Sequence, residues 1–197
     1  MCGLQKPLNN VIKKIEGLCW HDPKLDEIVN GKRGILQGIQ ACMDSKCLVS
    51  AVILMFSAVD TLAALTRPAG DQSTNGDVFK KWATVYLKPE SNLGCSSIDL
   101  WGARCGVLHL YSPDSDLSFH GKAKRIYYQW TAGPTTGTAR SIPSGSIVIN
   151  VEQLHKAVEG GIHEFIQVVD KDGGLRDQVH GHLASLLCYE PFPTEAV

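Results

Sequence analysis

The chain has 197 residues, 44% of them hydrophobic and 20% charged, with a formal net charge of −1 and a pI near 6.6. That length builds one domain, or one domain with a sizeable appendage, and buries a real core. The near-neutral balance excludes a protein that coats nucleic acid through bulk charge, while leaving room for a local basic site.

The longest apolar run, Cys47 to Val59, covers 13 residues before Asp60 breaks it, short of the ~20 that cross a bilayer. Met1-Cys2-Gly3-Leu4-Gln5-Lys6 has no basic stretch leading into an apolar one, so no signal peptide is expected. The seven cysteines are odd in number and hold no Cys-x-x-Cys pair. That pattern suits free thiols in a reducing cytoplasm better than a disulfide framework or structural zinc. A soluble cytoplasmic protein with no metal, no cofactor and no membrane partner is the expectation.

Leu8 to Leu18 and Pro23 to Val29 read as short helices, the second capped by Asp22 with proline at its first position. One long helix is expected from Ile35 to Arg67, apolar nearly all round in its second half and so buried centrally. After a polar loop from Gly70 to Gly76, Val78, Phe79, Trp82, Val85 and Tyr86 recur at helical spacing until Pro89. A loop from Glu90 to Cys95 then leads to a helix from Ser96 to Tyr111, stopped by Ser112-Pro113.

Beyond Asp116 the character changes. Lys124 to Thr131 and Ser146 to Val151 are rich in β-branched and aromatic residues and predict a small β-hairpin around a Gly, Pro, Ser and Thr-rich connection. Asn150 and Gln153 resemble a capping box for the helix carrying Leu154, Val158, Ile162, Phe165 and Val169. Asp172-Gly173-Gly174 ends that helix, and a last one is expected from Leu175 to Tyr189. The architecture is mainly α: a helical bundle over residues 1–117, with a late hairpin and two C-terminal helices over 118–197 packed on it as part of the same domain.

Arg104-Cys105-Gly106-Val107-Leu108-His109 is the one place where two groups suited to phosphate chemistry sit close together in a patterned helix. Arginine is a permanent cation whose fork fits phosphate oxygens, and histidine moves protons near neutral pH. On an ideal helix the step between them is a rise of ~7.5 Å and a turn of ~140°, so they do not share a face. Packing against a second copy of the helix would bring them together more easily. Gly102, Gly106 and His109 form a stripe able to admit another backbone or a substrate, and Ile98, Trp101, Cys105 and Leu108 form the stripe expected to face the core.

A long buried helix, an amphipathic helix and a third helix bearing Arg-x4-His resemble the HEPN domain (higher eukaryotes and prokaryotes nucleotide-binding) over roughly Ile35 to Leu117. The resemblance implies a HEPN-like bundle and a metal-independent endoribonuclease of a toxin–antitoxin or defence system. It implies a homodimer with Arg104 and His109 facing their copies across the interface. RNA would be the substrate and an antitoxin-type protein a partner. It also implies His109 as general base or acid and Arg104 on the scissile phosphate, giving a 2′,3′-cyclic phosphate and a 5′-hydroxyl. Family members commonly carry Asn, Asp or His after the arginine; Cys105 stands here and reads as packing.

Other readings stand beside this one. Arg104 could pair with Asp60, the acid of the apolar helix, and His109 could cap a helix C-terminus, leaving a non-catalytic helical binding module. Lys122, Lys124 and Arg125, with His120 nearby, could bind substrate along a nucleic-acid backbone, with Tyr127, Tyr128 and Trp130 stacking on bases; a solvated loop and a packed hairpin are the alternative. A small-molecule or nucleotide pocket between the hairpin and the last two helices is a third reading. His180 and His182 read as surface histidines, since they lack ligand-type neighbours. An amidotransferase nucleophile at Cys2 does not fit a helical N-terminal half.

Overall fold

The computed structural model describes residues 22–68, 70–71, 75–130, 142–183 and 186. Helix α1 (Pro23–Asn30) starts as its cap predicts: Asp22 accepts from the amides of Lys24 and Leu25 at 2.9 and 3.1 Å. The helix expected over Leu8 to Leu18, and the last helix beyond Leu183, lie outside the described residues.

The single helix expected from Ile35 to Arg67 is two, α2 (Ile35–Asp44) and α3 (Leu48–Leu65). The break is a Schellman turn. Lys46 takes the left-handed region at φ 60°, Cys47 N donates to Cys42 O at 2.9 Å and Lys46 N to Met43 O at 3.1 Å. No glycine marks this turn, so periodicity ran straight through it. α3 buries Met55, Phe56, Val59, Leu62 and Leu65 among α2 and four later helices. Its length and composition alone would suit a membrane span; half of it is buried against the helices packed around it.

Asn75 caps α4 (Gly76–Trp82), which continues as a π turn over Ala83–Leu87 and ends at left-handed Lys88. The loop expected from Glu90 is in part a short helix, α5 (Pro89–Leu93). Then comes α6 (Ser97–Leu110), opened by a capping box between Ser96 and Asp99 and closed by left-handed Tyr111. The one-turn helix α7 (Asp116–Phe119) follows.

The expected hairpin is corrected in one respect. Strands β1 (Ile126–Gln129) and β2 (Ile147–Asn150) run parallel, with Ile126 opposite Ile147 and Gln129 opposite Asn150. A tight turn joins only antiparallel strands; a parallel pair needs a connection of about a dozen residues or more, and the segment taken for a hairpin loop has that length. Asn150 caps α8 (Val151–Lys171) by accepting from Gln153 N at 3.0 Å, but the Gln153 side chain donates to Asn92 O rather than closing a capping box. α8 packs on the π turn, where Phe165 meets Trp82 and Tyr86 with centroids 5.8 and 5.3 Å apart. Asp172 then starts α9 (Gly173–Leu183), accepting from Leu175 N at 3.0 Å. The C-terminal helices therefore pack on the bundle, and the described residues are mainly helical with one small parallel sheet.

Candidate functional site

The face that α6 turns inward is not the stripe that composition suggested. Asp99, Leu100, Ala103 and Val107 are buried, with Gly102 and Gly106 on the adjoining side, while Ile98, Trp101, Cys105 and Leu108 are only half-buried. The glycine stripe is already occupied by the chain that follows the helix. A Cβ on Gly106 would stand 2.5 Å from the carbonyl oxygens of Ser112 and Asp114, and one on Gly102 2.9 Å from the Ala123 side chain. Gly102 and Gly106 thus let residues 112–123 fold back over α6; they offer no groove for a second helix or a substrate.

That fold-back places the motif on the flank of α6 facing α3. Arg104 Nε donates to Asp60 Oδ2 at 2.6 Å, and its Nη2 pairs with the same oxygen. The guanidinium lies over the Trp101 ring, 5.0 Å from its centroid, a contact that the i, i+3 spacing makes available. Its remaining nitrogen, Nη1, reaches His109 Nε2 at 3.2 Å. Arg104 and His109 therefore meet within one chain, although an ideal wheel separates them. The long arginine side chain spans the gap, and His109 sits in the last turn before Tyr111 turns the backbone.

The chemistry of this contact is constrained. A guanidinium only donates, so in this contact Nε2 of His109 stands in the accepting position. His109 is exposed, whereas the Arg104 and Asp60 side chains keep 19% and 18% of their surface. Burial pushes the Asp60 carboxyl above the usual carboxylate range, against the pull of Arg104 and then His109. Burial likewise raises the Cys105 thiol, against the pull of Arg104, which makes it a poor nucleophile. The arrangement is an anchored cation beside an exposed imidazole.

Lys122, Lys124 and Arg125 are not at this site. They line an open cleft of ≈ 720 Å³ with Ser96 and Asp99, at the other end of α6. Along a straight helix that end lies ~20 Å from His109. Arg125 is engaged by Asp114 and lies near the Phe119 ring; Lys122 and Lys124 are exposed. Asp99, which the sequence did not single out, organises the cleft wall. One oxygen accepts from Ser96 N and Oγ at 2.9 and 2.6 Å, the other from Lys124 N at 2.6 Å. Burial opposes its charge, but these hydrogen bonds outweigh burial and hold the carboxyl below its usual range.

The remaining candidates serve the fold. Tyr128 and Trp130 pack against the core, so they form no stacking platform, and Lys46 sits 5.3 Å from the Trp130 centroid. His120 Nδ1 contacts Asp116 O at 2.7 Å. His180 and His182 tie α9 to Asp22 and to Arg67 O at 2.9 and 3.0 Å. No protein-family model matches this chain, and no curated protein or solved structure matches it.

Proposed function

We propose that this is a HEPN-like RNA-acting protein, a metal-independent endoribonuclease that uses Arg104 and His109. One observation carries the reading: the 3.2 Å contact between Arg104 Nη1 and Nε2 of an exposed His109. Once the phosphate draws Arg104 Nη1 away from His109 Nε2, the imidazole would take the proton of the ribose 2′-hydroxyl as its oxygen attacks phosphorus. The 5′ oxygen leaves and takes a proton from water while His109 returns its own to solvent, giving a 2′,3′-cyclic phosphate and a 5′-hydroxyl. Arg104, aimed by Asp60, would stabilise the charge gathering on the phosphoryl oxygens. Homodimer formation belongs to this reading. Leu110 and Tyr111, 63% and 74% exposed beside His109, supply apolar surface for it.

The alternative, a non-catalytic helical module, is favoured by how fully Arg104 is engaged by Asp60 and Trp101. RNA incubated with the protein in EDTA separates the two. Cleavage that His109→Ala abolishes while the fold is retained supports the nuclease. Cleavage that needs a divalent metal, or that survives His109→Ala, overturns it.

A further inference from the structure

The break between α2 and α3 joins two thiols that an unbroken helix would part. Five residues along a continuous helix turn a side chain by ~140°, which would set Cys42 and Cys47 on different faces. The Schellman turn reverses the chain instead: Lys46 adopts φ 60°, and Cys47 N donates to Cys42 O at 2.9 Å. In this motif the two residues joined by that bond commonly bring their side chains into contact as well. The bond also limits their separation. A carbonyl oxygen stands ~2.4 Å from its own Cα, and an amide nitrogen ~1.5 Å from its own. With 2.9 Å between oxygen and nitrogen, the two Cα atoms are at most ~6.8 Å apart, and any bend in that path brings them closer. Disulfides span Cα separations of about 4.4–6.8 Å. Cys47 is exposed and Cys42 half-buried, and both are free thiols.

We propose that Cys42 and Cys47 are a redox modification site, which a low-molecular-weight disulfide such as glutathione disulfide converts to an intrachain disulfide across the α2–α3 turn. Exposure assigns the order of events. Cys47, as thiolate, attacks one sulfur of the small disulfide; that S–S bond breaks, and one small thiol leaves with the proton that Cys47 gave up. Cys42 then attacks the Cys47 sulfur, the mixed disulfide breaks, and the second small thiol leaves with the Cys42 proton. The protein loses two electrons and two protons, and the small disulfide gains them. The new bond ties the end of α2 to the start of α3, the helix that carries Asp60. Excess small thiol reverses both steps, so the bond is transient wherever thiols are kept reduced.

Peptide mapping tests this directly. Lys46 lies between the two cysteines, so trypsin leaves each in its own peptide with no other cysteine. The reduced full chain is treated with glutathione disulfide, its remaining thiols are blocked with iodoacetamide, and it is digested without reductant. The two peptides should be found joined, from protein that runs as a monomer on a non-reducing gel. Cys42→Ser should stop at glutathione on Cys47, with at least about tenfold more of that adduct than wild type retains, because the thiol that resolves it is gone. No joined pair, a bond from Cys47 to another cysteine, or wild type that keeps glutathione on Cys47 as fully as Cys42→Ser overturns the proposal. The readout is a bond between thiols and not cleavage of RNA, so failure of the nuclease reading leaves this test intact.

Discussion

Arg104 donates its Nε to Asp60 at 2.6 Å across 44 residues of sequence, while the other end of the same guanidinium reaches His109. The carboxylate thus sets where the cation points, and the helix that carries Asp60 sets where the carboxylate stands. Both side chains are about four-fifths covered, so removing one leaves the other's charge poorly solvated. Asp60→Ala should destabilise the fold by about 2–4 kcal/mol, and Asp60→Asn by roughly half as much. Urea denaturation of the two variants checks this. Equal stability of wild type and Asp60→Ala would show that the pair carries no weight.

Arg104→Lys keeps the charge but loses the fork that grips Asp60 and His109 together. If the nuclease reading holds, RNA cleavage should fall by about 10²-fold or more, and His109→Ala should cost about 10²–10⁴-fold. Circular dichroism should show both variants folded. Arg104→Lys with full activity would mean that positive charge alone suffices.

Neighbouring glycines should respond with opposite signs. Gly160 is exposed in α8 with nothing within 4 Å of a Cβ, whereas a Cβ on Gly161 would stand 3.0 Å from Tyr86 O and Leu87 Cδ2. Gly160→Ala should stabilise by about 0.5–1 kcal/mol; Gly161→Ala should destabilise by about 1–3 kcal/mol. Gly106→Ala, blocked by two backbone carbonyls, should lose at least as much as Gly161→Ala, because backbone cannot rotate aside. Thermal melts of the three variants give the order directly.

Asp99 makes stability acid-sensitive. Its carboxyl is held below the usual range by Ser96 and the Lys124 amide. A group with a depressed folded pKa contributes stability that is fully present above its unfolded value of about 3.9 and lost as pH falls through the folded value. Unfolding free energy should therefore drop below about pH 4, and Asp99→Asn should flatten that drop while lowering stability at pH 7. An unchanged acid limb in Asp99→Asn would assign it to other carboxylates.

Thiol labelling should discriminate between Cys47 and Cys95. Cys47 is exposed, whereas burial pushes the Cys95 thiol up to about 12. Iodoacetamide at pH 8, followed by peptide mapping, should mark Cys47 early and Cys95 only on unfolding. Equal rates would place Cys95 in an open environment.

Sequence by itself determined the helical class, the cap at Asp22, the start of α6 at Ser96, and the chemistry that Arg104 and His109 could share. Those are local matters: capping needs only residues a few positions apart, and apolar periodicity survives in any tertiary setting. It also named Asp60 as a partner for Arg104, because a lone acid in an apolar helix needs an opposite charge. Only the tertiary structure decided which face of α6 is buried. The half-buried Trp101 and Cys105 are as apolar as core residues, and the glycines look like open space until residues 112–123 fill it. It likewise decided that the strands run parallel and that Lys122 and Lys124 belong to a cleft apart from His109. These outcomes depend on how the chain returns across itself, and helix periodicity carries no information about that path.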